Sequence, residues 1–291
     1  MRQVLITGAN SYVGNAFKQW IEANYADDIQ VDTVGMKNGE WKEKSFVGYD
    51  VILHAAGIAH VSTDKSMEDL YYKVNTDLTA EVAAKAKRDG VCQFIFLSSM
   101  IVYGDASNAQ MITKDTEPKP TSFYGNSKLQ AEKKLEQLAD ENFLVANVRP
   151  PMIYGKGSKG NYIKLAGLAR KVPLFPDYPN RRSMIHVDNL SEFLTLLILH
   201  EDNGTFHPQN ADYVCTSELV KTIGSVHGNQ VRTTGLFNGV IGTLVDKNVT
   251  MNKLFGDFAY AKELSAYPHD YHVRDFFDSI VQTERHEPSS K

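Results

Sequence analysis

A tyrosine and a lysine stand four residues apart in the segment Tyr124-Gly125-Asn126-Ser127-Lys128. On a helix this spacing places both side chains on one face. The pKa of a tyrosine hydroxyl is normally about 10, and a neighbouring ammonium lowers it because it favours the phenolate. The pair can therefore take a proton from an alcohol or give one to an alkoxide. Two surface side chains that merely share a helical face would show the same spacing.

Two serines, Ser98 and Ser99, follow the apolar run 94–97, which is predicted to be a buried strand. In a parallel sheet, the end of this strand lies beside the helix that begins near Tyr124. A serine hydroxyl at that position can hydrogen-bond the oxygen that gains or loses the proton. The sequence thus predicts a proton-transfer site between a strand end and a helix.

The first turn of the chain has the pattern of an anion site. The apolar run 4–6 stops at Thr7-Gly8, and a helical pattern starts near Ser11 and includes Gly14. Gly8 can turn sharply and brings no Cβ towards a ligand, while Gly14 lets the helix pack close to the strand. A strand, a tight turn and a helix start can bind a pyrophosphate through free N–H groups. A βα turn that binds nothing would also contain two such glycines.

The elements that must position these residues alternate along the chain. Apolar strands are predicted at 29–34, 51–57, 94–97 and 143–148, and helices at 66–88 and 124–139. This alternation predicts an α/β fold in which helices cover both faces of a parallel sheet. Ligands of such sheets bind beyond the carboxyl ends of the strands. The notable residues collect there: Gly8, Gly35, His54 to Gly57, Ser99 and Arg149-Pro150-Pro151.

The character of the sequence changes after Pro151. Residues 154–161 are rich in glycine and lysine, and residues 172–179 contain three prolines. We expect a dinucleotide-binding domain over 1–155 and a mainly substrate-binding, smaller mixed α/β domain over 156–291. A helix near 189–200 is expected to pack back on the first domain. Residues 235–258 are too mixed to predict an element.

Composition and charge restrict the partners. The 291 residues are 42% hydrophobic and 23% charged, with a net charge of -4, which gives no electrostatic support for a nucleic-acid or anionic-membrane partner. The longest apolar run, 193–199, is too short to span a bilayer, and no signal peptide is recognised, so a cytoplasmic location is expected. Cys92 and Cys215 lack metal-ligand spacing, and no metal site is predicted. Cys92 is interpreted as an inert thiol inside a buried strand.

These motifs together resemble those of the extended short-chain dehydrogenase/reductase family, in its branch of nucleotide-sugar epimerases, dehydratases and reductases. The motifs that carry the resemblance are Thr7-Gly8 to Gly14, His54-Ala55-Ala56, Asn75, Ser99, Val102-Tyr103-Gly104, Tyr124 to Lys128 and Arg149 to Gly155. The resemblance implies a Rossmann-type doubly wound sheet and a homodimer formed through the helices that carry Asn75 and Tyr124. An apolar stripe fits such a dimer, but burial against the chain's own sheet explains it equally well: Leu70, Val74, Leu78 and Val82.

The resemblance also implies the catalytic and cofactor-binding residues. Tyr124 matches the catalytic acid/base, and Lys128 matches the lysine that lowers its pKa and holds the nicotinamide ribose. Ser99, rather than Ser98, matches the serine that binds the substrate hydroxyl. The implied cofactor-binding residues are Gly8, Asn10, Ser11, Tyr12, Val13, Gly14, Lys37, His54, Ala55, Ala56, Lys128 and Pro150.

Three further residues are assigned by the same resemblance. Arg182 matches an arginine that grips the substrate diphosphate, for which the guanidinium fork is suited, although a solvated charge is an alternative. Asn161, with Lys159 and Gly160, lies where the family contacts the sugar nucleotide. Asn75 matches a supporting asparagine, or is simply a polar residue that bends its helix. The implied substrate-binding set is therefore Ser99, Tyr124, Asn161 and Arg182.

Two departures from the family pattern bear on the cofactor. Ser11 replaces the middle glycine of the first turn, a change that a helix-capping residue tolerates. The acidic residue expected after the second strand, which binds the ribose of NAD, is replaced by Gly35, followed by Met36 and Lys37. Asp32 lies too early, inside the strand. A lysine with no acid nearby suits a 2′-phosphate, so NADP(H) is favoured over NAD(H).

The cofactor prediction leads to a prediction of the reaction. Use of NADPH favours reduction of a UDP-4-keto-6-deoxy-N-acetylhexosamine in surface polysaccharide biosynthesis. The alternative is a UDP-sugar 4-epimerase of the UDP-glucose or UDP-GlcNAc type, with tightly held NAD. Dehydration is disfavoured because Met100 and Ile101 follow Ser99 where dehydratases carry an acidic pair. A non-catalytic NADP(H)-binding sensor is a further alternative, although such proteins typically lose the tyrosine or the lysine.

Overall fold

The central element of the computed structural model is a six-stranded parallel sheet. The structure describes residues 1–37, 39–58, 64–104, 110–245 and 247–285. The strands are β1 (Arg2–Thr7), β2 (Ile29–Val34), β3 (Val51–His54), β4 (Gln93–Leu97), β5 (Gln110–Ile112), β6 (Leu144–Val148), β7 (Met152–Tyr154), β8 (Leu174–Pro176), β9 (Met184–His186), β10 (Gly204–Phe206), β11 (Arg232–Thr234) and β12 (Phe258–Tyr260). In the sheet, the strand order is β10-β6-β4-β3-β1-β2.

Helices cover both faces of this sheet. The helices of the described residues are α1 (Tyr12–Asn24), α2 (Glu40–Glu43), α3 (Glu68–Tyr71), α4 (Leu78–Arg88), α5 (Phe123–Glu136), α6 (Asn161–Ala169), α7 (Val187–His200), α8 (Thr216–Val226), α9 (Asn238–Val245), α10 (Val249–Phe255) and α11 (Phe276–Glu284). Helices α1 and α7 bury Phe17, Ile21 and Leu194 on one face, and α4 and α5 bury Val82 and Leu135 on the other. The predicted doubly wound α/β fold is confirmed.

The apolar strands are buried because helices lie above and below them. All four residues of β3 and all five of β4 are buried, as a covered parallel strand requires. The interpretation of Cys92 is wrong, because β4 begins one residue later, at Gln93, and Cys92 is exposed at the opposite end of the sheet from Ser99. Its main-chain N–H donates to the Asp50 carbonyl oxygen at 3.0 Å, before the β3–β4 ladder begins.

The continuous helix predicted over 66–88 is interrupted. A 3₁₀ turn (Lys65–Met67) precedes α3, and a π-helical segment (Tyr72–Asp77) separates α3 from α4. Each π turn adds a residue, so the buried face rotates relative to an ideal helix. Leu70, predicted to begin the apolar stripe, is accordingly 41% exposed, whereas Tyr71 and Val82 are buried. π turns are frequent at functional sites, and this one contains Asn75.

A second hydrophobic cluster lies in the C-terminal part of the chain, which we call the second lobe (residues 156–182 and 212–285). Helices α6, α8, α10 and α11 contribute Ala166, Leu219, Phe255 and Ile280 to it. The short parallel pair of β5 with β12 connects it to the rest of the chain, whereas β8 pairs with β11 within the second lobe and β7 pairs with β9 outside it. Residues 235–258, for which no element was predicted, form a 3₁₀ turn (Gly235–Phe237), α9, α10 and the start of β12. In the described ranges, no helix has the length and apolar character needed to cross a membrane.

Candidate functional site

Three consecutive residues at the end of β4 meet three side chains of α5. The Ser99 hydroxyl shares a hydrogen bond with the Tyr124 hydroxyl. The Lys128 ammonium donates to the Leu97 carbonyl oxygen, with a distance of 2.8 Å from Nζ to O. The Ser98 hydroxyl is hydrogen-bonded to the Glu132 carboxylate. Because the three side chains of α5 are spaced by four residues, they lie on one face, and the predicted group of Ser99, Tyr124 and Lys128 comes together.

Burial dominates the electrostatics of this group. It raises the pKa of Tyr124 to about 12, and the hydrogen bond from Ser99 opposes that rise. Burial lowers the pKa of Lys128 to about 8, and the Glu132 carboxylate opposes that fall. Lys128 is directed to the strand end, and its Nζ lies 4.6 Å from the centre of the Phe96 ring. In the structure, Ser99 is the group that opposes the rise in the pKa of Tyr124, and the role of Lys128 in lowering that pKa stays a prediction.

Asn75 links the loop after β3 to α5. Its Oδ1 accepts from the Ile58 N–H at 2.8 Å, and its Nδ2 donates to the Ser127 hydroxyl at 3.1 Å. A Cβ at Gly57 would lie 3.0 Å from Asn75 Oδ1 and 3.2 Å from Lys128 Nζ, so the loop passes close to both side chains. Asn75 is fully buried and therefore braces the loop beside Lys128.

The side chain of His54, the last residue of β3, supports the loop that follows β3. Its Nδ1 lies 2.7 Å from the Thr7 hydroxyl, and its Nε2 lies 3.0 Å from the Thr79 hydroxyl. Thr79 donates its only hydroxyl proton to the Asn75 carbonyl oxygen, so Nε2 carries the ring proton and donates to Thr79. Burial lowers the pKa of His54 to about 3, which keeps the ring neutral. The side chain is enclosed, which leaves main-chain atoms for the cofactor contact predicted at His54.

The first turn has the geometry of an anion site. Ser11 caps α1, its hydroxyl accepting from the Gly14 N–H at 3.0 Å, which explains why serine serves where the family has glycine. Gly8 has φ +94°, and a Cβ there would lie 2.9 Å from main-chain atoms of Ala56. A Cβ at Gly14 would lie 2.9 Å from a methyl carbon of Ile6, so α1 begins close against β1. The N-terminus of α1, where helix dipole and free N–H groups favour an anion, therefore lies at the strand ends.

We expect Gly8→Ala to weaken nucleotide binding by at least about tenfold, because the strained φ and the contact with Ala56 displace the loop after β3. Gly48→Ala is the matched control, since Gly48 has a similar φ of +92° with nothing within 4 Å of the Cβ position. Calorimetric titration with NAD and NADP measures the difference. Equal affinities of the two variants would contradict the close approach at Gly8.

An acidic side chain that the sequence pattern missed lies at the end of β2. The carboxylate Oε2 of Glu40 is 3.3 Å from the Cβ position of Gly35, close to where an acidic side chain at residue 35 would lie. Gly39, with φ +77°, caps α2 and turns Glu40 back towards the strand. Asp32 is bound by the Tyr49 hydroxyl at 2.6 Å. The end of β2 therefore has an acidic side chain beside Gly35, and the Gly-Glu start of a short helix was the signal in the sequence.

Two of the four predicted substrate residues, Asn161 and Arg182, lie in the second lobe. Arg182 is half-buried and donates from Nη1 to the Gly256 carbonyl oxygen at 3.1 Å, and burial lowers its pKa although Asp257 opposes this. Its guanidinium forms no ion pair with the residues that the structure describes. Asn161 is the exposed first residue of α6 and follows Gly160, which has φ +99°. The other predicted cofactor residues surround the first turn or the strand ends: Asn10, Tyr12, Val13, Ala55 and Pro150.

A buried ion pair behind the site was also missed. Glu132 is fully buried, and its carboxylate accepts from Arg149 at 3.0 Å (Nε) and 2.5 Å (Nη2). Arg149 also donates to the Tyr103 hydroxyl at 2.6 Å, and that hydroxyl lies 2.8 Å from His207 Nε2. The sequence signal was the position of Glu132, four residues after Lys128 on the same helical face. The pair fixes Ser98 in place, which leaves Ser99 to face Tyr124.

Comparison with known proteins identifies the relatives of this chain. The model of the NAD dependent epimerase/dehydratase family matches residues 4–211. A UDP-glucose 4-epimerase of Vibrio cholerae is 32% identical over 246 residues, which cover 76% of this chain and 75% of that protein. The structure of UDP-glucuronic acid 4-epimerase from Bacillus cereus in complex with NAD has a TM-score of 0.72 at 15% identity, covering 97% of both chains. The structure of dTDP-4-dehydrorhamnose reductase from Bacillus anthracis in complex with NADP has a TM-score of 0.65 at 21% identity, covering 81% of this chain and 85% of that one. The family resemblance read from the sequence is confirmed.

Proposed function

Because this chain belongs to the NAD-dependent epimerase/dehydratase family, we propose that it interconverts the C4 epimers of a UDP-sugar with NAD(H) as its cofactor. The observation that carries the proposal is the Glu40 carboxylate beside Gly35. A carboxylate at this position accepts hydrogen bonds from the ribose hydroxyls of NAD and repels the 2′-phosphate of NADP. The 32% identity with a UDP-glucose 4-epimerase supports the same reaction.

The residues of the site fit a bound dinucleotide. The Gly8 turn and the N-terminus of α1 would hold its pyrophosphate, and Gly8, which has no Cβ, lets this turn approach the main chain of Ala56 closely. When bound, the nicotinamide supplies the acceptor and donor of the hydride at C4. Asn75 and Gly57 would hold the loop beside Lys128, so that the Lys128 ammonium reaches the nicotinamide ribose.

Tyr124 and Ser99 would handle the proton. The high pKa of Tyr124, about 12, keeps its hydroxyl protonated at neutral pH, the form that protonates an alkoxide. Removal of a proton from the C4 hydroxyl requires positive charge nearby, and Lys128 supplies it from the same face of α5. Ser99 hydrogen-bonds the same sugar oxygen. Arg182, half-buried and bonded to a carbonyl oxygen, would bind the substrate diphosphate with its remaining donors.

The role of Glu40 in cofactor choice is tested by Glu40→Gln. We expect the wild-type protein to bind NAD more tightly than NADP and the variant to lose about tenfold of that preference, because the carboxylate no longer repels the 2′-phosphate. Glu43→Gln, an exposed change on the same short helix, is the control. Fluorescence titration with NADH and NADPH measures both affinities. A wild-type protein that prefers NADPH, with a ratio that Glu40→Gln does not alter, would contradict the assignment.

Reduction of a UDP-4-keto-6-deoxy-N-acetylhexosamine with NADPH is the second candidate. The observation in its favour is Lys37, which is exposed two residues beyond Gly35 and is in no ion pair with the residues the structure covers. An ammonium there would bind a 2′-phosphate. NADPH oxidation in the presence of the UDP-4-keto sugar, lost on Lys37→Met, would support this candidate against epimerisation.

A further inference from the structure

Five large apolar side chains are exposed on β8, the 3₁₀ turn and α9 of the second lobe, and we call them the apolar face. They are Leu174 (48% exposed), Leu236 (88%), Phe237 (49%), Val240 (60%) and Leu244 (39%). Strand β8 pairs with β11, and the Asp177 N–H donates to the Thr234 carbonyl oxygen at 2.8 Å, which places the 3₁₀ turn beside Asp177, at the end of the strand that Leu174 begins. The apolar face therefore extends from β8 across the 3₁₀ turn to α9.

Part of the apolar face lies on a helix, α9, whose opposite side is buried in the second lobe. Leu236, Val240 and Leu244 are spaced by four residues, so they follow one side of the 3₁₀ turn and α9. Ile241 and Val245, on the other side of α9, are buried in the second-lobe cluster. Segment 235–245 contains no charged residue. Contiguous exposed apolar surface of this kind usually marks an interaction site.

Basic residues flank the apolar face where β8 pairs with β11. Residues 156–176 include five basic and no acidic residues, whereas the whole chain has a net charge of -4. Lys171 precedes Leu174 by three residues, and Arg232 is the register partner of Leu174. Both cations are exposed, and neither is in an ion pair with a residue of the described ranges. The adjacent acid is Asp177, which is also exposed.

We propose that the apolar face docks on an anionic lipid surface. Apolar side chains on one side of a short helix, flanked by lysine and arginine, suit the boundary between headgroups and acyl chains. Lys171 and Arg232 would contact lipid phosphates while Leu236 and Val240 enter the boundary. A second copy of this chain fits less well, because pairing two such faces brings Lys171 and Arg232 against their equivalents. The net charge of -4 for the whole chain gave no sign of this partner, because the second lobe has more basic than acidic residues while the rest of the chain has the reverse.

Vesicle sedimentation of the purified full-length protein tests this docking. We expect binding to vesicles of phosphatidylcholine with about a third phosphatidylglycerol, little binding to phosphatidylcholine alone, and release by about 0.5 M salt. Leu236→Ser with Val240→Ser should weaken binding by at least about tenfold, since the apolar insertion is lost. Lys171→Gln with Arg232→Gln should weaken it similarly and remove most of the salt dependence.

Matched controls come from exposed residues elsewhere. Val47→Ser with Phe277→Ser changes two exposed apolar residues, and Lys65→Gln with Lys133→Gln removes two exposed cations. Both control variants should bind vesicles like the wild type. Equal sedimentation with the two vesicle types, or unchanged binding by the Leu236/Val240 variant, would overturn the proposal. The proposal would also be overturned if the wild type did not bind vesicles and the Leu236/Val240 variant had a lower molar mass than the wild type in light scattering. That result would assign the apolar face to a protein interface. Unchanged dinucleotide affinity shows that each variant is folded.

Discussion

Replacing Tyr124 with phenylalanine is expected to reduce kcat for the sugar nucleotide by about a thousandfold or more, because the group that transfers the proton is removed. The dinucleotide affinity and the fold should not change. The ring remains packed edge-on against Tyr71, with 6.0 Å between ring centres, and only the hydroxyl bonded to Ser99 is lost. Steady-state turnover and calorimetric titration of the same preparation measure the two quantities.

Tyr72→Phe is the matched control for this change. The Tyr72 hydroxyl accepts from Asn126 Nδ2 at 2.6 Å and thus also contacts α5, but it takes no part in the Ser99 group. We expect it to retain wild-type turnover. If Tyr124→Phe kept the wild-type kcat, the assigned acid/base would be wrong. A wild-type protein that binds the dinucleotide but converts neither UDP-sugars nor UDP-4-keto sugars would favour a non-catalytic sensor instead.

Replacing Arg149 with methionine is expected to lower the free energy of unfolding by about 3–5 kcal/mol, because it leaves the charge of Glu132 buried and unpaired. Glu132 is fully buried and receives two hydrogen bonds from Arg149, at 3.0 and 2.5 Å. The double variant Glu132→Met/Arg149→Met should recover much of the loss, since neither charge of the pair then remains buried. Chemical denaturation followed by circular dichroism measures all three variants.

An exposed ion pair on the same helix is the control. Lys134 Nζ lies 2.7 Å from Asp77 Oδ1, and both side chains are solvent-exposed, so Lys134→Met should cost no more than about 1 kcal/mol. A loss for Arg149→Met as small as that of the control would show that Glu132 is not held as a buried carboxylate. A double variant no more stable than the single one would show that packing, rather than charge, causes the loss.

The sequence was sufficient for features that depend on local pattern. The strand ends and the Tyr124–Lys128 spacing could be predicted because periodicity and spacing within a helix are local properties. The π turn at Asn75 could not, because an apolar repeat over 66–88 is equally compatible with an unbroken helix. The burial of Cys92 was predicted wrongly because the apolar run does not mark where the strand ladder begins.

The remaining misses are contacts made through space. Glu40 approaches Gly35 only because Gly39 adopts a left-handed conformation and reverses the chain. Arg149 meets Glu132 because β6 lies next to β4 in the sheet and α5 packs against both strand ends. A family pattern is compared with the sequence one position at a time, and such a comparison reveals neither contact. Both bear on function, because one concerns the cofactor and the other fixes Ser98 beside Ser99.

The assay that tests the proposed reaction most directly is proton NMR of UDP-glucose incubated with the purified protein and no added cofactor. The proposed epimerisation predicts conversion to an equilibrium mixture with UDP-galactose, since the hydride removed from C4 would return to the same carbon through a retained NAD. UDP-GlcNAc in a parallel sample covers a preference for the N-acetylated sugar. Absence of conversion in both samples, together with consumption of a UDP-4-keto-6-deoxy sugar that requires added NADPH, would contradict epimerisation and establish the ketoreductase.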